Sequence, residues 1–296
     1  MGKLFSAHIG INFAGTSNAL RGCVNDSADM LKAWNDITMA AGGTSDFLTE
    51  RRATLAVVRE FIATHLRNLQ SGDLLFLSRS SHGTQIPDRD GDEDDGKDEA
   101  FVCYGLDLLS DDEFATILAK RAAGSYVVVF DDCCHSGTGL RFVGDPDRPA
   151  DALARSLHWQ AIPQPTRYNF ERVAPPPPAA ARGVLHIAAC QAHEVAWDGS
   201  RDGRPNGAGT LAFLDSLKQV GAKGTWGELF TAIRSRLPSA QYKQTPFASG
   251  DMSMLAMPIG AGVQAGAGST PPPVVGGDGL PDVLTVNGRR YRAEES

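Results

Sequence analysis

Short apolar runs alternate along the chain with longer stretches whose apolar residues recur every three or four positions. The segments "KLFSAHIGINF" (3–13), "DLLFLS" (73–78), "YVVVF" (126–130) and "VLHIAAC" (184–190) read as strands. Between them the spacing predicts helices. In 25–37, Met30, Leu31, Trp34 and Ile37 share one face, with Asn25 or Asp26 positioned as N-cap. In 54–69, Leu55, Val58, Ile62 and Leu66 do the same, after a short strand around Phe47 and Leu48. Further helices are expected over 111–123, 211–220 and 226–237.

Strands that alternate with helices predict an α/β fold on a mostly parallel sheet. In such sheets, ligands bind beyond the C-terminal strand ends. Three polar clusters fall there: Ser80-Ser81-His82-Gly83, Asp132 to Gly137, and Cys190-Gln191. The rest of the pattern is irregular. Residues 88–99, "DRDGDEDDGKDE", are strongly acidic, and 141–182 lack periodicity and end in a proline tract. Residues 261–281 are rich in Gly, Ala and Pro and read as a linker. In the tail, 282–296, an Asn-Gly pair between two short runs predicts a hairpin.

Composition narrows the class. At 296 residues with 42% hydrophobic positions, the chain can bury a large core without staples. A formal net charge of −7 argues against a nucleic-acid partner. Five scattered cysteines make no disulfide framework and predict reduced thiols in the cytoplasm. Neither a membrane-spanning stretch nor a signal peptide is recognisable, so no membrane association is expected. "MGKLFS" matches a myristoylation pattern formally, but it continues directly into the first strand.

The vicinal pair Cys133-Cys134 at the end of "YVVVF" raises the possibility of a thiol nucleophile. Adjacent residues leaving a strand point to opposite sides, so only one of the two can face a given base. The residues alone leave open which. Glycines at Gly83 and Gly137 would let backbone N–H groups approach a substrate carbonyl.

"SSHG", the acidic loop and "DCCHSG" together resemble the metacaspase (orthocaspase) family of caspase-like cysteine peptidases. "LRGCVNDSADM" (20–30) and "YKQTP" (242–246) are similar to further family segments. The resemblance implies a caspase-like three-layer fold over 1–260. Its large part would span about 1–140, a connection 141–182, and its small part 183–260. It implies Cys134 as nucleophile, His82 as base and acid, and an oxyanion site at the amides of Gly83 and Cys134. It also implies protein or peptide substrates with Arg or Lys at P1, received by Asp26, Asp132 and Ser80. His135 would support the loop.

The resemblance also implies a calcium site at Asp98, Asp111 and Asp112, with Arg141 where a fourth carboxylate is usual. An EF-hand register beginning at Asp88 fails, because Glu93 stands where Gly is required. Ser81 replaces a usual Gly, and Arg79 a common aromatic. The connection carries Arg141, Arg148, Arg155, Arg167, Arg172 and Arg182, so self-processing is expected there. The tail's Arg289-Arg290 could occupy an acidic pocket.

Three other readings compete. Cysteine phosphatases use Cys-x5-Arg, whereas Cys134 and Arg141 are six residues apart in the intervening count, and His82 gains no role. A zinc site from Cys133, Cys134, His135 and Cys190 lacks ligand spacing. A non-catalytic binding module of the same fold is the third.

Overall fold

The computed structural model describes residues 2–87, 97–134, 153–158, 162 and 182–260, with the backbone of 283–286 and 289–292. The predicted apolar runs form the centre of one sheet. Strands β1 (Leu4–Gly10), β2 (Ser45–Thr49), β3 (Leu74–Ser80), β7 (Tyr126–Asp132), β9 (Val184–Ala188) and β12 (Phe247–Gly250) take the order β12-β9-β7-β3-β1-β2. All neighbours are parallel except β12, which runs antiparallel to β9.

Side-chain alternation divides the core between the two faces of this sheet. From β3, Leu74 and Phe76 join Met30 and Trp34 of α1 (Cys23–Ala40), Phe213 of α4 (Ala208–Val220) and Trp226 of α5 (Trp226–Arg234). Leu75 and Leu77 join Val58, Ile62 and Leu66 of α2 (Leu55–Asn68) and Phe114 of α3 (Asp111–Leu118) on the other face. The result is the expected three-layer α/β architecture. Among the described residues, no helix is long and apolar enough to cross a membrane.

Several elements depart from the sequence expectation. Helix α1 begins two residues early, with Gly22 as N-cap. Asp26 therefore lies within the first turn rather than capping it, and its carboxylate is free for other partners. Two small antiparallel sheets were not anticipated. One joins β4 (Gly83–Pro87), β5 (Lys97–Val102) and β6 (Leu108–Ser110), so the acidic stretch ends in a strand. The other joins β8 (Leu153–Ala154), β10 (Trp197–Arg201) and β11 (Arg204–Gly207). Short strands such as "RPNG" carry too few apolar residues to announce themselves. In the tail, β13 (Val283–Val286) pairs antiparallel with β14 (Arg289–Arg292), and the Asn-Gly pair between them lies outside the described residues.

Two buried groups make the fold testable. Trp34 is fully buried, stacked on Phe76 at 4.2 Å and beside Trp226 at 5.7 Å. Replacing it with alanine should cost about 3–5 kcal/mol in denaturant unfolding. A loss under 1 kcal/mol would mean that this stack does not hold the layer. His8, wholly buried in β1, pairs with Ser78 at 2.8 Å and Ser6 at 3.0 Å through hydroxyl groups. Burial, with a smaller contribution from His65, lowers its pKa to about 3. The folded protein thus binds fewer protons than the unfolded chain below pH 6.5, and stability falls as pH falls. The His8 contribution should reach about 3 kcal/mol by pH 4. His8→Gln should flatten the wild-type dependence by that amount.

Candidate active site

The two cysteines after β7 separate as strand geometry requires. Cys133 packs in the core on the α2/α3 side, and Cys134 in the core on the α1/α4 side. The Cys134 sulfur accepts the Ala196 N–H at 3.0 Å, and its S–H faces the Ala196 carbonyl at 3.4 Å. Burial pushes this thiol up to about 12, against the opposing pull of the Ala196 amide and of Arg155. In this state the sulfur is a thiol, not a thiolate.

His82 stands where β3 leads into β4. Its Nε2 lies 2.8 Å from the Asn18 carbonyl. A carbonyl only accepts, so Nε2 carries the proton and Nδ1 keeps its lone pair. That Nδ1 is buried without a hydrogen-bond partner. Phe13 packs against the ring at 5.4 Å between centroids, and burial lowers the imidazole to about 4. Neutral His82 is thus oriented with its basic nitrogen unspent, as a general base requires.

The departures around His82 are absorbed locally. Ser81 turns its hydroxyl to the Val102 carbonyl at 2.7 Å, which ties it to β5. Arg79 pairs with Asp131 through Nε at 2.7 Å and Nη2 at 2.5 Å, and its guanidinium lies 3.7 Å from the centroid of the Phe114 ring. Asp131 also receives His186 Nε2 at 2.7 Å. This ion pair sits on the Cys133 side of the sheet.

Asp26, Ser80 and Asp132 do converge, and they converge on an arginine of the chain itself. Arg155 is fully buried. Its Nη2 donates to Asp26 at 2.6 Å and to Asp198 at 2.9 Å. Its Nη1 donates to the Asp132 carbonyl at 2.8 Å and to Ser80 Oγ at 3.1 Å, and lies 3.1 Å from the Asp132 carboxylate. The acids are themselves held: Asp26 by Gly207 N–H and Asn206, Asp132 by Thr210 N–H and hydroxyl. Burial raises Asp132 to about 6, with Arg155 pulling the other way. A methyl group at Gly207 would overlap both Asp132 and the guanidinium, so the cavity needs glycine there.

The main chain of Arg155 is equally engaged. Its carbonyl accepts from Gly83 N–H at 2.9 Å and from Cys134 N–H at 3.2 Å. Its own N–H donates to the Ala196 carbonyl at 3.0 Å. Upstream, Ala154 and Leu153 pair with Trp197 and Asp198 of β10. Downstream, Leu157 N–H donates to the Gly83 carbonyl at 3.0 Å. Gly83 approaches the Cys134 carbonyl so closely that any Cβ would collide.

Sequence reasoning missed Asp198. Its Oδ1 also accepts Gly22 N–H at 2.9 Å and its Oδ2 Arg21 N–H at 2.8 Å, which fixes the entry to α1. In "WDGSRDG" it reads as a turn residue, and only the pairing of β10 with β8 reveals it. Arg155 was one arginine among six. "YKQTP" acquires a role as well: Gln244 accepts Trp197 N–H and donates to the Ala189 carbonyl, both at 3.0 Å, which sets β10 against β9.

Asp98 is buried, and burial together with Glu99, Asp112 and Asp98 raises Asp111 well above the usual carboxylate range. These acids crowd one another, yet among the described residues no three potential ligands converge as a metal site. That holds for the zinc reading too, since Cys133 and Cys134 face opposite ways. His135, Gly137, Arg141 and the acidic residues 88–96 lie outside the described residues.

A family profile described as "Caspase domain" matches residues 8–254. Metacaspase-7 of Arabidopsis thaliana is 36% identical over 138 residues, covering 44% of this chain and 34% of that protein. Metacaspase-1A of Aspergillus niger is 28% identical over 284 residues, covering 83% of this chain and 69% of that protein. The chain thus spans about a third of the plant relative's length. Protein GSU0716 from Geobacter sulfurreducens superposes with a TM-score of 0.68 at 28% identity, over 88% of this chain and all of that one. Caspase-1 from Spodoptera frugiperda gives 0.52 at 14% identity, over 89% and 91% respectively. Strand-end cysteine, oriented histidine and acidic pocket therefore sit on a fold and a sequence of known kind, and the chain belongs to the caspase-domain family, with metacaspases among its relatives.

Proposed function

We propose that the protein is a cysteine endopeptidase that cuts proteins and peptides after arginine or lysine. The observation that carries this reading is a pocket of Asp26, Asp132, Asp198 and Ser80 that takes an arginine side chain, while the carbonyl of that arginine accepts from the N–H groups of Cys134 and of Gly83, the residue after His82. Paired carboxylates suit a guanidinium and repel an acidic P1 side chain.

In this reading His82 Nδ1 takes the Cys134 proton, and the thiolate attacks the P1 carbonyl. The N–H groups of Gly83 and Cys134 hold the oxyanion. His82 then protonates the leaving amine, and water hydrolyses the thioester. Self-processing within the connection belongs to the same chemistry. Five unpaired and buried cysteines support work in a reducing compartment such as the cytoplasm. A cation among Asp98, Asp111 and Asp112 would relieve their crowding, so calcium stays an arm of the assay. One observation favours the alternative of a binding module: Cys134 is bonded to Ala196 and not to His82.

Fluorogenic peptides with Arg, Lys or Asp at P1, with calcium or chelator, decide between the two. Arg and Lys peptides should be cut by wild type and Cys133→Ala, and by Cys134→Ala not at all. Basic-peptide cleavage that survives Cys134→Ala would remove the nucleophile, and Asp cleavage would remove the pocket assignment.

The fork of Arg155 spans two groups of acceptors that a single ammonium cannot reach together. Arg should therefore exceed Lys about tenfold or more in kcat/KM. Asp198→Asn should narrow that ratio, which a general loss of structure would leave unchanged.

A further inference from the structure

The segment 153–157 lies across the site as a substrate would. Strand-adding peptidases hold the residues before the cut by main-chain pairing and the P1 side chain in a pocket. Here Leu153 and Ala154 pair with β10, the Arg155 N–H bonds Ala196, and the Arg155 side chain fills the acid pocket. Its carbonyl rests on the two N–H groups, of Gly83 and Cys134, that would stabilise an oxyanion. Ser156 and Leu157 continue past the cleft along Gly83, and Leu157 packs against the far core. An arginine that served only as a structural ion pair would need its guanidinium satisfied. It would not need its carbonyl placed on the amide of the candidate nucleophile. Of the connection's six arginines, only Arg155 and Arg182 are described, and Arg182 is exposed with its carbonyl bonded to Arg121.

We propose that Arg155–Ser156 is the bond this protein cuts in itself, and that the 153–157 strap closes the site to other substrates until that cut is made. The proposal rests on the peptidase reading and adds the bond and its regulatory consequence. The Cys134 sulfur bonds to the Arg155 carbonyl carbon while His82 holds the thiol proton. The bond to Ser156 nitrogen breaks, and that proton passes to the new Ser156 amine. Water then cleaves the thioester, which leaves an Arg155 carboxylate and restores the thiol. No oxidant or cofactor is needed.

The test uses the full chain. On incubation, wild type should yield a fragment whose N-terminal sequence begins at Ser156, at a first-order rate unchanged by dilution. Cys134→Ala should stay intact. Ser156→Pro leaves the Arg155 side chain unchanged and turns the bond to be cut into a tertiary X–Pro amide, a hindered substrate for attack and departure. It should stay intact and hydrolyse an Arg peptide about tenfold or more slowly than processed wild type. Arg155→Gln should escape this cut, and whatever peptide hydrolysis it retains should start without a lag. Because Arg155→Gln strips a buried cation from three acids, Ser156→Pro is the decisive variant. A cut elsewhere with Arg155–Ser156 intact, or full peptidase activity in Ser156→Pro, would overturn the proposal and leave the peptidase standing. No cleavage by any form would overturn both.

Discussion

The centre of this molecule is a charge problem. Asp26, Asp132 and Asp198 come from three distant parts of the chain and meet at the rim of a parallel sheet with almost no access to water. Carboxylates buried so close together call for a cation among them, and burial pushes Asp132 up against the pull of Arg155. Arg155 resolves it with a planar fork that reaches all three acids. Removing one partner from such a buried cluster typically costs about 3–5 kcal/mol. The loop before α1, the end of β7, β10 and the strap are therefore held together by one guanidinium.

The sheet supplies the rest by geometry alone. Alternation along β7 sends Asp131 and Cys133 into the polar and apolar contacts of one face. It sends Asp132 and Cys134 to the other, where the acid pocket and Ala196 wait. The doubled cysteine is thus no ambiguity once the strand is fixed. Each thiol has one possible neighbourhood, and only that of Cys134 also contains the amides on which the Arg155 carbonyl rests.

Legibility in the sequence followed the length and polarity of each element. The four apolar runs and the helices between them were readable because burial on both faces demands continuous apolar residues. Strands β4–β6, β10 and β11 were not, because short ribbons can be built from residues such as Thr84, Gln85, Arg204, Pro205 and Asn206, which carry no apolar pattern even where they are buried. Among the candidate site residues, His82, Gly83, Asp132 and Cys134 each fall within one motif and could be named from the family resemblance. Asp26 admitted two roles from its position, N-cap and pocket, and only the two-residue shift of the helix start released its carboxylate. Asp198 and Arg155 were opaque for a different reason. Their meaning lies in a pairing between β8 and β10, 43 residues apart, that no local pattern encodes.

The burial that encloses the acid cluster extends to the neighbouring thiol and imidazole. Desolvation is the largest influence on both, and it favours Cys134 as a thiol and His82 as a neutral ring. The strap contributes to that burial, because Arg155 fills the pocket and its carbonyl covers the Cys134 amide. Its departure would admit water to sulfur and imidazole together and relax both penalties toward the values a reactive thiolate–imidazolium pair requires. A dry, closed cleft favours the neutral thiol and imidazole over the charged pair, which makes a first cut within the closed cleft slow compared with turnover after the cleft has opened to solvent.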